Sequence, residues 1–348
     1  MNEKIFYNAL NIASDSNYAK LSSLLKKHQS WENAWQKTNT LFESKIDPRR
    51  EWEKLERHKI ELVLESEPEY PFLLRETQSP PFGIYVLGKE KVAIPKSGSV
   101  AIVGTRKATE NGREIARNFS LNLATLKIQI VSGLAIGIDT EAHLGTIEAR
   151  GQTIAVVATG LDTIYPKLNE KVAKKIIEAG GFVISEYPVG APALPYRFLE
   201  RNRIVSGLAD ATLVIEAPEK SGSLVTAKFA AEAGRTVYVI PGSINHPNYR
   251  GSHALIRDGA ILVTRPEEII EDLIGKYNPT KTSSELSLLS DEEMRIVSAI
   301  QASGGTLTID KIIELTNLNA KTTNQLVSLL LIKKFIKETD LGYTIYSS

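Results

Sequence analysis

Basic residues and glycine occur together after one short apolar run of this sequence. Val100–Val103 is followed by Gly104 and then by Arg106 and Lys107, before a helical pattern begins. A dinucleotide site has the pattern G-x-G-x-x-G at such a turn, because glycines let the backbone approach a pyrophosphate. Arg106 and the pair Ala108–Thr109 occupy the places of the second and third glycine. The turn therefore begins like a nucleotide site but lacks the glycines that a dinucleotide needs.

Three further turns after apolar runs are also rich in glycine and small polar residues. Asp139 is placed to cap the helix that follows the first of them. Such turns expose backbone N–H groups at helix N termini, where anions bind. Because a single nucleotide needs only one or two such sites, several along one sheet edge favour a ligand with several phosphates. The candidate phosphate-binding residues are Gly104, Thr105, Arg106, Lys107, Ser132, Gly133, Gly160, Lys220, Ser221, Gly222 and Ser223.

A segment that mixes arginine with aromatic residues, Tyr196–Arg203, adds a second kind of candidate. Proteins that grip single-stranded nucleic acid use this combination, because the cation contacts the backbone while the ring stacks on a base. An alternative stays open: Arg201 and Arg203 could form buried ion pairs with Glu200 or Asp210, and Phe198 could belong to the core. The candidates from this segment are Arg197, Phe198, Arg201, Asn202 and Arg203.

The elements that position these turns are predicted from hydrophobic periodicity. Continuous apolar runs alternate with helical patterns, which is typical of a parallel sheet covered on both faces. In such a sheet ligands bind at the carboxyl ends of the strands. We therefore predict an α/β fold with a Rossmann-like parallel sheet. Its strands are Val100–Val103, Ile128–Val131, Ile154–Ala158, Phe182–Ile184, Ala211–Ile215, Val237–Ile240 and Ala260–Val263.

The chain is predicted to contain three domains. The first shows amphipathic patterns of three or four short helices, and the acidic stretch Glu61–Glu69 reads as a solvated connector. The last shows three helical patterns, the third over Lys321–Phe335, and then strand, turn and strand. That order predicts a winged helix-turn-helix domain. The boundaries are 1–75 for the helical domain, 76–275 for the Rossmann-like domain, 276–289 for a polar linker and 290–348 for the winged-helix domain.

Composition narrows the function further. The chain has 348 residues, a net charge of +1 and no cysteine, so disulfide and thiolate chemistry are excluded and a polyanion site must come from local clustering. We expect a cytoplasmic protein without membrane insertion, because a signal-like N terminus and an apolar run of about 18 residues are both lacking. Paired carboxylates, a nucleophile–base set and a metal cluster are not recognisable. We therefore expect no enzyme activity, no cofactor and no metal.

Several runs, taken together, resemble the DNA-processing protein A family. They are VAIVGTRKAT, SGLAIGIDTEAH, TGLDTIYP, ISEYPVGAPALPYRFLERNRIVSGLAD, EAPEKSGSLVTAKFAAEAGR and VIPGSINHPNYRGSHALIRDGA, and they lie in order within residues 65–272. The resemblance implies an extended Rossmann domain that binds single-stranded DNA, with Arg106 holding a phosphate. It also implies that the protein protects this DNA during natural transformation, displaces single-strand-binding protein and loads the RecA recombinase. Where some relatives carry a lysine just before Phe198, this chain has Arg197, which is expected to supply that charge.

The same resemblance implies a homodimer formed through the end of the Rossmann domain. His253, Ile256 and Leu262 are the interface candidates there, although these residues could equally pack the last helix and strand. The N-terminal helices, of a helix-hairpin-helix or SAM-like type, and the winged-helix domain resemble accessory domains of the family.

Two other functions stay open. Rossmann-like phosphoribohydrolases also have a glycine-rich loop before a late helix, and Glu216, Glu232 or the pair Asp139 and His143 could serve them as acid–base groups. Their P-G-G-x-G-T run is absent, and Lys220–Ser223 stands in its place.

The second alternative is a regulator whose winged domain reads duplex DNA. Its predicted recognition helix, Ala320–Leu326, offers only Lys321 as a cation. Base readout normally comes with several phosphate contacts, so this composition favours protein docking or weak duplex contact.

Overall fold

The computed structural model of the protein describes residues 2–42, 46–88, 98–277, 289–303, 306–316, 318–332, 335–339 and 342–345. The chain divides into two compact units, Met1–Ile269 and Ile270–Ser348. The predicted boundary at residue 75 lies inside the first unit. Most of the predicted linker, residues 276–289, lies outside the described residues.

The N-terminal segment forms the short helices that its amphipathic patterns predict. Asn17, Ser30 and Asp47 each accept a hydrogen bond from a backbone N–H in the first turn of the helix that follows. Such caps contribute about 1 kcal/mol each, because they satisfy donors that have no partner inside the helix. The helices are α1 (Asn2–Ala13), α2 (Tyr18–His28), α3 (Trp31–Thr38) and α4 (Pro48–Arg57).

The first unit is built on a sheet in which nine strands are described, in the order β1-β2-β6-β5-β4-β3-β7-β8-β9. The strands β3 to β9 pair in parallel and coincide with the seven predicted apolar runs, so the Rossmann-like α/β fold is confirmed. The bounds are β1 (Glu61–Leu64), β2 (Gly83–Leu87), β3 (Ser99–Gly104), β4 (Gln129–Ser132), β5 (Thr153–Val157), β6 (Phe182–Ser185), β7 (Ala211–Ile215), β8 (Thr236–Val239) and β9 (Ile261–Leu262).

Strands β1 and β2 extend the sheet beyond its predicted edge. β2 pairs antiparallel with β6, and β1 pairs antiparallel with β2. The prediction of a solvated connector over Glu61–Glu69 is therefore wrong for its first half, where Leu62 and Val63 are each 1% exposed. The acidic composition was misleading because Glu61 is the exposed member of an otherwise buried strand.

Helices cover both faces of the sheet and enclose two apolar cores. Ile154 and Val156 of β5 point into one core, and Ala155 and Val157 point into the other, as the period of two in a strand requires. The second core also contains Leu10 of α1, so the N-terminal helices and the sheet share it. The covering helices are α5 (Phe72–Arg75), α6 (Glu110–Thr125), α7 (Ile138–Glu148), α8 (Glu170–Glu178), α9 (Pro195–Gly207), α10 (Gly222–Glu232) and α11 (Arg250–Arg257).

The C-terminal unit has its own core, which contains Ile296, Ile312, Val327 and Leu330. The third helix ends at Ile332 and not at Phe335 as predicted. Phe335 is buried in the C-terminal core and directly precedes the strand that begins at Ile336. No helix among the described residues of either unit has the length and apolar character to cross a membrane. The remaining elements are α12 (Pro266–Tyr277), α13 (Asp291–Ala302), α14 (Ile309–Thr316), α15 (Ala320–Ile332), β10 (Ile336–Thr339) and β11 (Gly342–Ile345).

Candidate nucleic-acid interface

The turns after β3, β4 and β7 meet at one edge of the sheet. β3 lies between β4 and β7, so the chain reverses its direction of winding there, and ligands of such sheets bind at this switch point. Together with α9 the turns enclose a cavity of about 360 Å³. The predicted site residues that line it are Gly104, Thr105, Arg106, Gly133, Phe198, Arg201, Asn202, Lys220, Ser221, Gly222 and Ser223.

Close packing explains two of the glycines in these turns. A Cβ atom on Gly104 would lie 1.9 Å from the carbonyl oxygen of Ile215, and one on Gly133 would lie 2.7 Å from Oδ2 of Asp139. Both distances are shorter than any real Cβ contact. These glycines therefore let neighbouring turns approach one another, whatever the ligand is.

Phe198 lies at the centre of the cationic part of the cavity. The guanidinium carbon of Arg106 is 5.3 Å from the centre of its ring, and that of Arg201 is 6.0 Å away. Tyr165 contacts the same ring, with 5.4 Å between the ring centres. Arg106 is exposed, so its charge is available to a ligand, whereas Arg201 is only 4% exposed.

Arg201 supports the turns from within. Its Nη1 donates to the carbonyl oxygen of Gly133 at 2.7 Å and to that of Val156. Burial lowers the pKa of Arg201 to about 10, and the nearby carboxylate of Asp139 partly opposes this shift. Arg201 lines the cavity, but its main hydrogen bonds hold the carboxyl ends of β4 and β5 together.

Asp139 does not cap α7 as predicted. It lies one residue inside the helix, and its Oδ2 accepts hydrogen bonds from the N–H groups of Gly133 at 3.1 Å and Ala135 at 3.3 Å. Burial raises the pKa of Asp139, while Arg201 and the two N–H groups oppose this. The carboxylate therefore fixes the turn after β4.

Two predicted DNA contacts, Arg197 and Arg203, are inconsistent with the structure. Arg197 is 1% exposed, and its Nη2 pairs with Asp15 at 2.6 Å. Nη2 of Arg203 donates to both carboxylate oxygens of Glu186, at 2.5 and 2.6 Å. The alternative of a buried ion pair thus applies to Arg203, with a different partner from those considered. Neither guanidinium is free to hold a phosphate.

Three other predicted residues lie outside the cavity lining in the described part of the chain. Ser132 is buried and donates from Oγ to the carbonyl oxygen of Ile102 at 2.6 Å. Gly160 is buried, and a Cβ there would lie 2.4 Å from the carbonyl oxygen of Pro188. Lys107 is exposed beside Arg106, so among these three only Lys107 offers a group to a phosphate.

The turn before α10 combines a cation with a helix N terminus. Lys220 is exposed, and Ser221 caps the helix by accepting from the N–H of Ser223 at 3.3 Å. Asn202 ties α9 to this turn, because its Nδ2 donates to the carbonyl oxygen of Gly222 at 3.1 Å. This arrangement suits an anion, since the N-terminal end of a helix carries partial positive charge.

Glu216 is a site residue whose role the sequence did not reveal. It is fully buried at the end of β7, with a positive φ of 52°. Its carboxylate accepts from the N–H of Thr109 at 2.9 Å, from the Thr109 hydroxyl, from Nδ2 of Asn248 at 3.0 Å and from the Tyr249 hydroxyl at 3.3 Å. Glu216 therefore fixes the loop that carries Arg106. Composition cannot reveal this, because the donors come from segments far apart in sequence.

Tyr165 was also missed. It is 47% exposed and packs against Phe198 with the two ring planes tilted by 59°, which enlarges the aromatic surface beside the cavity lining. Its position in the run TGLDTIYP was the available signal, but an aromatic residue in a loop is not in itself a binding residue.

The two remaining acid–base candidates, His143 and Glu232, contact protein side chains that explain their positions. Nδ1 of His143 lies 2.8 Å from the Thr153 hydroxyl, and burial lowers the pKa of His143 to about 3. Glu232 forms a surface pair with Lys228 at 3.7 Å. Among the described residues, no group of three or more acidic or histidine side chains could hold a metal ion.

A doubly wound α/β sheet with a cationic, aromatic-lined cavity at its switch point defines a Rossmann-like protein suited to a polyanion. The family described as DNA recombination-mediator protein A matches residues 61–274 of the chain. The chain therefore belongs to this family.

Relatives and solved structures agree with this assignment. The Smf protein of Escherichia coli is 45% identical over 204 residues, which are 59% of this chain and 54% of Smf. The Smf protein of Synechocystis is 42% identical over 209 residues, 60% of this chain and 52% of that protein, so the match spans about half of each relative. The X-ray structure of DNA processing protein A from Streptococcus pneumoniae has a TM-score of 0.62 at 30% identity and covers 77% of this chain and 92% of that one.

A second solved relative carries a functional description. The structure of DNA processing protein A from Helicobacter pylori, described for its single-stranded DNA binding mode, has a TM-score of 0.56 at 29% identity. It covers 63% of this chain and 97% of that one.

Proposed function

We propose that this chain binds single-stranded DNA at the switch-point cavity without sequence preference. The observation that carries the proposal is the ring of Phe198 beside the exposed guanidinium of Arg106, with Lys220 and the N terminus of α10 in the same cavity lining. The description of the Helicobacter pylori relative supports the same ligand.

Each of these groups has a distinct part in binding. Arg106 contacts one backbone phosphate, and Lys220 with the turn before α10 contacts another. Phe198 stacks on a base, with Tyr165 beside it, and every base has a face on which a ring can stack. Since phosphates and base faces are common to all sequences, this set of contacts is tolerant of sequence. Duplex DNA hides the base faces, so it binds more weakly.

The direct test is the binding of a labelled oligo-dT and of a duplex of the same length across a salt series. We expect tighter binding of the single strand and a steep loss of affinity with salt, because each neutralised phosphate releases counterions. Equal affinity for both forms would contradict the proposal, and preference for the duplex would favour the regulator alternative.

We propose further that two copies associate through the β9 edge of the sheet. Leu262 is 47% exposed there and Ile261 is 46% exposed, which is unusual for neighbouring apolar residues. The other two interface candidates are less accessible to a second copy of the chain. Ile256 packs against the core, and Nε2 of His253 lies 3.1 Å from the carbonyl oxygen of Gly242. A twofold contact would use the Leu262 patch twice.

A dimer of this kind can hold two segments of one strand and present them to a partner. We propose that the partner is RecA and that single-strand-binding protein is displaced in the process, as the family resemblance implies. The test is RecA strand exchange on DNA coated with single-strand-binding protein. Wild-type protein should stimulate exchange, and Arg106→Ala should not. Full stimulation by that variant would remove the loader proposal.

The proposal includes no catalytic step. Glu216, Asp139 and His143 each have the buried hydrogen-bond partners described above, which gives them a structural role. Incubation with nucleoside monophosphates should therefore release no free base. Release of base that is lost in Glu216→Gln would favour the phosphoribohydrolase alternative.

A further inference from the structure

The turn between α1 and α2 reaches across to the first turn of α9. Asp15 lies in this turn with a positive φ of 53°. Its Oδ1 accepts a hydrogen bond from Nη2 of Arg197 at 2.6 Å, and its Oδ2 accepts one from the hydroxyl of Tyr196 at 3.3 Å. The donors are adjacent residues of α9, and Phe198 follows them directly. One carboxylate from the N-terminal helices thus holds the helical turn that presents the proposed stacking ring.

Arg197 is a buried link between the two segments. Its guanidinium carbon lies 4.7 Å from the centre of the Tyr187 ring and 5.9 Å from that of Tyr196, and Nη1 donates to the carbonyl oxygen of Pro192 at 3.0 Å. Within the described residues, Nε of Arg197 has no hydrogen-bond partner. Asp15 is 72% exposed while Arg197 is 1% exposed, so the ion pair lies where the buried guanidinium meets the solvent. Without Asp15, Arg197 keeps its contacts with Pro192 and Tyr187 but loses its link to the N-terminal helices, so the first turn of α9 is held less firmly.

The first turn of α9 is exposed on its outer side, at Pro195 and Tyr196. From the sheet side, the hydroxyl oxygen of Tyr187 lies 3.4 Å from the carbonyl oxygen of Arg197 and 3.0 Å from Oε2 of Glu200. The contacts of Arg197 and Tyr196 with Asp15 add a second restraint, which comes from the N-terminal helices.

We infer that Asp15 is a positioning residue for DNA binding, through which the N-terminal helices hold Arg197 and set the place of Phe198. This inference rests on the proposed function. It assigns the N-terminal helices a part in the affinity of the cavity, and it makes Arg197 a support of the site and not a phosphate contact.

If Asp15 acted only through its charge, its removal would change the DNA affinity in the opposite direction. Asp15 carries a negative charge near a polyanion site, so its removal alone would strengthen DNA binding. Release of Arg197 to the solvent would add a phosphate contact and make the salt dependence steeper. The positioning role predicts weaker binding with an unchanged salt slope, because the number of phosphate contacts stays the same.

The test compares two variants of Asp15 with a charge-matched control. Asp15→Gly removes the carboxylate and suits the positive φ, and Asp15→Asn removes the charge but keeps an acceptor oxygen and tolerates that backbone conformation. Glu53→Gln removes one negative charge from the exposed face of α4. We expect oligo-dT to bind Asp15→Gly about three- to tenfold more weakly, Asp15→Asn with a smaller loss, and Glu53→Gln like the wild type. Unchanged or tighter binding by Asp15→Gly would overturn the inference.

Hydrogen exchange of the DNA-free proteins tests the same inference without the ligand. The amides of Leu199, Glu200 and Arg201 bond to carbonyl groups of the first turn of α9, so they report on its order. These amides should exchange faster in Asp15→Gly than in the wild type and in Glu53→Gln. The thermal unfolding midpoint of the first unit should be the same in all three proteins. Equal exchange in all three proteins would overturn the inference. If the wild type bound no single-stranded DNA, the proposed function would fail, and the exchange result would decide the positioning role alone.

Discussion

Arg106→Ala is the substitution that most directly probes the proposed interface. Its guanidinium is exposed, lies 5.3 Å from the ring centre of Phe198 and forms part of the cavity lining. Alanine removes a charge-assisted hydrogen bond to a phosphate and leaves the fold intact, since the loop is held by Glu216 and not by Arg106. The loss should be about 1–3 kcal/mol, or about 5- to 150-fold in Kd.

The salt dependence gives a second, independent magnitude. For single strands the slope of log K against log salt is about −0.7 per neutralised phosphate. Arg106→Ala should therefore make the slope shallower by about 0.7. Fluorescence anisotropy of a labelled oligo-dT, titrated at several salt concentrations, measures both quantities in one series.

The matched control is Lys175→Ala. Lys175 is exposed in the last turn of α8, which runs from the carboxyl edge of the sheet back towards the amino edge, so it lies away from the cavity. Lys175→Ala removes one positive charge, as Arg106→Ala does, and we expect it to bind oligo-dT with wild-type affinity. If Lys175→Ala loses as much affinity as Arg106→Ala, the effect is one of net charge. If Arg106→Ala binds like the wild type, the reasoning about the cavity is refuted.

Four other substitutions test the aromatic rings, the β9 edge and the buried histidine. Phe198→Leu should weaken oligo-dT binding by about 1–3 kcal/mol with an unchanged salt slope, because it removes stacking but no charge; a changed slope would contradict this. Tyr165→Ala should cost less, about 0.5–1.5 kcal/mol, and a loss larger than that of Phe198→Leu would reverse their assigned roles. Leu262→Arg should elute as a folded monomer in size-exclusion chromatography; a variant that stays dimeric would rule out the β9 edge. Burial holds the pKa of His143 at about 3, below its usual 6.5, so the unfolded chain takes up a proton that the folded protein excludes. Stability should fall with pH below 6.5, by about 2 kcal/mol from this residue at pH 5, and urea unfolding of His143→Gln should lack that part of the pH dependence.

The local pattern of the sequence determined the architecture of the sheet. The strands β3 to β8 are buried on both faces, so most residues in them are apolar and each run stands out from its neighbours. The run of β9 is also apolar, although Ile261 and Leu262 are exposed at the edge of the sheet. The strands β1 and β2 are just as buried, but β1 begins at Glu61 in an acidic stretch that obscured it. Their membership of the sheet depends on pairing with β6, about a hundred residues further along the chain.

The choice among the arginines was decided only by the tertiary structure. Arg106, Arg197 and Arg203 are the same residue type, and the sequence predicted the same role in DNA binding for all three. Arg106 is exposed, whereas the other two are held by Asp15 and Glu186. The partner of Arg197 is 182 residues away along the chain. A guanidinium can serve a phosphate only if no carboxylate has already neutralised it. Which carboxylate reaches it depends on how distant segments pack, so periodicity and motif spacing can place the turns of this site but cannot decide which of its charges are free.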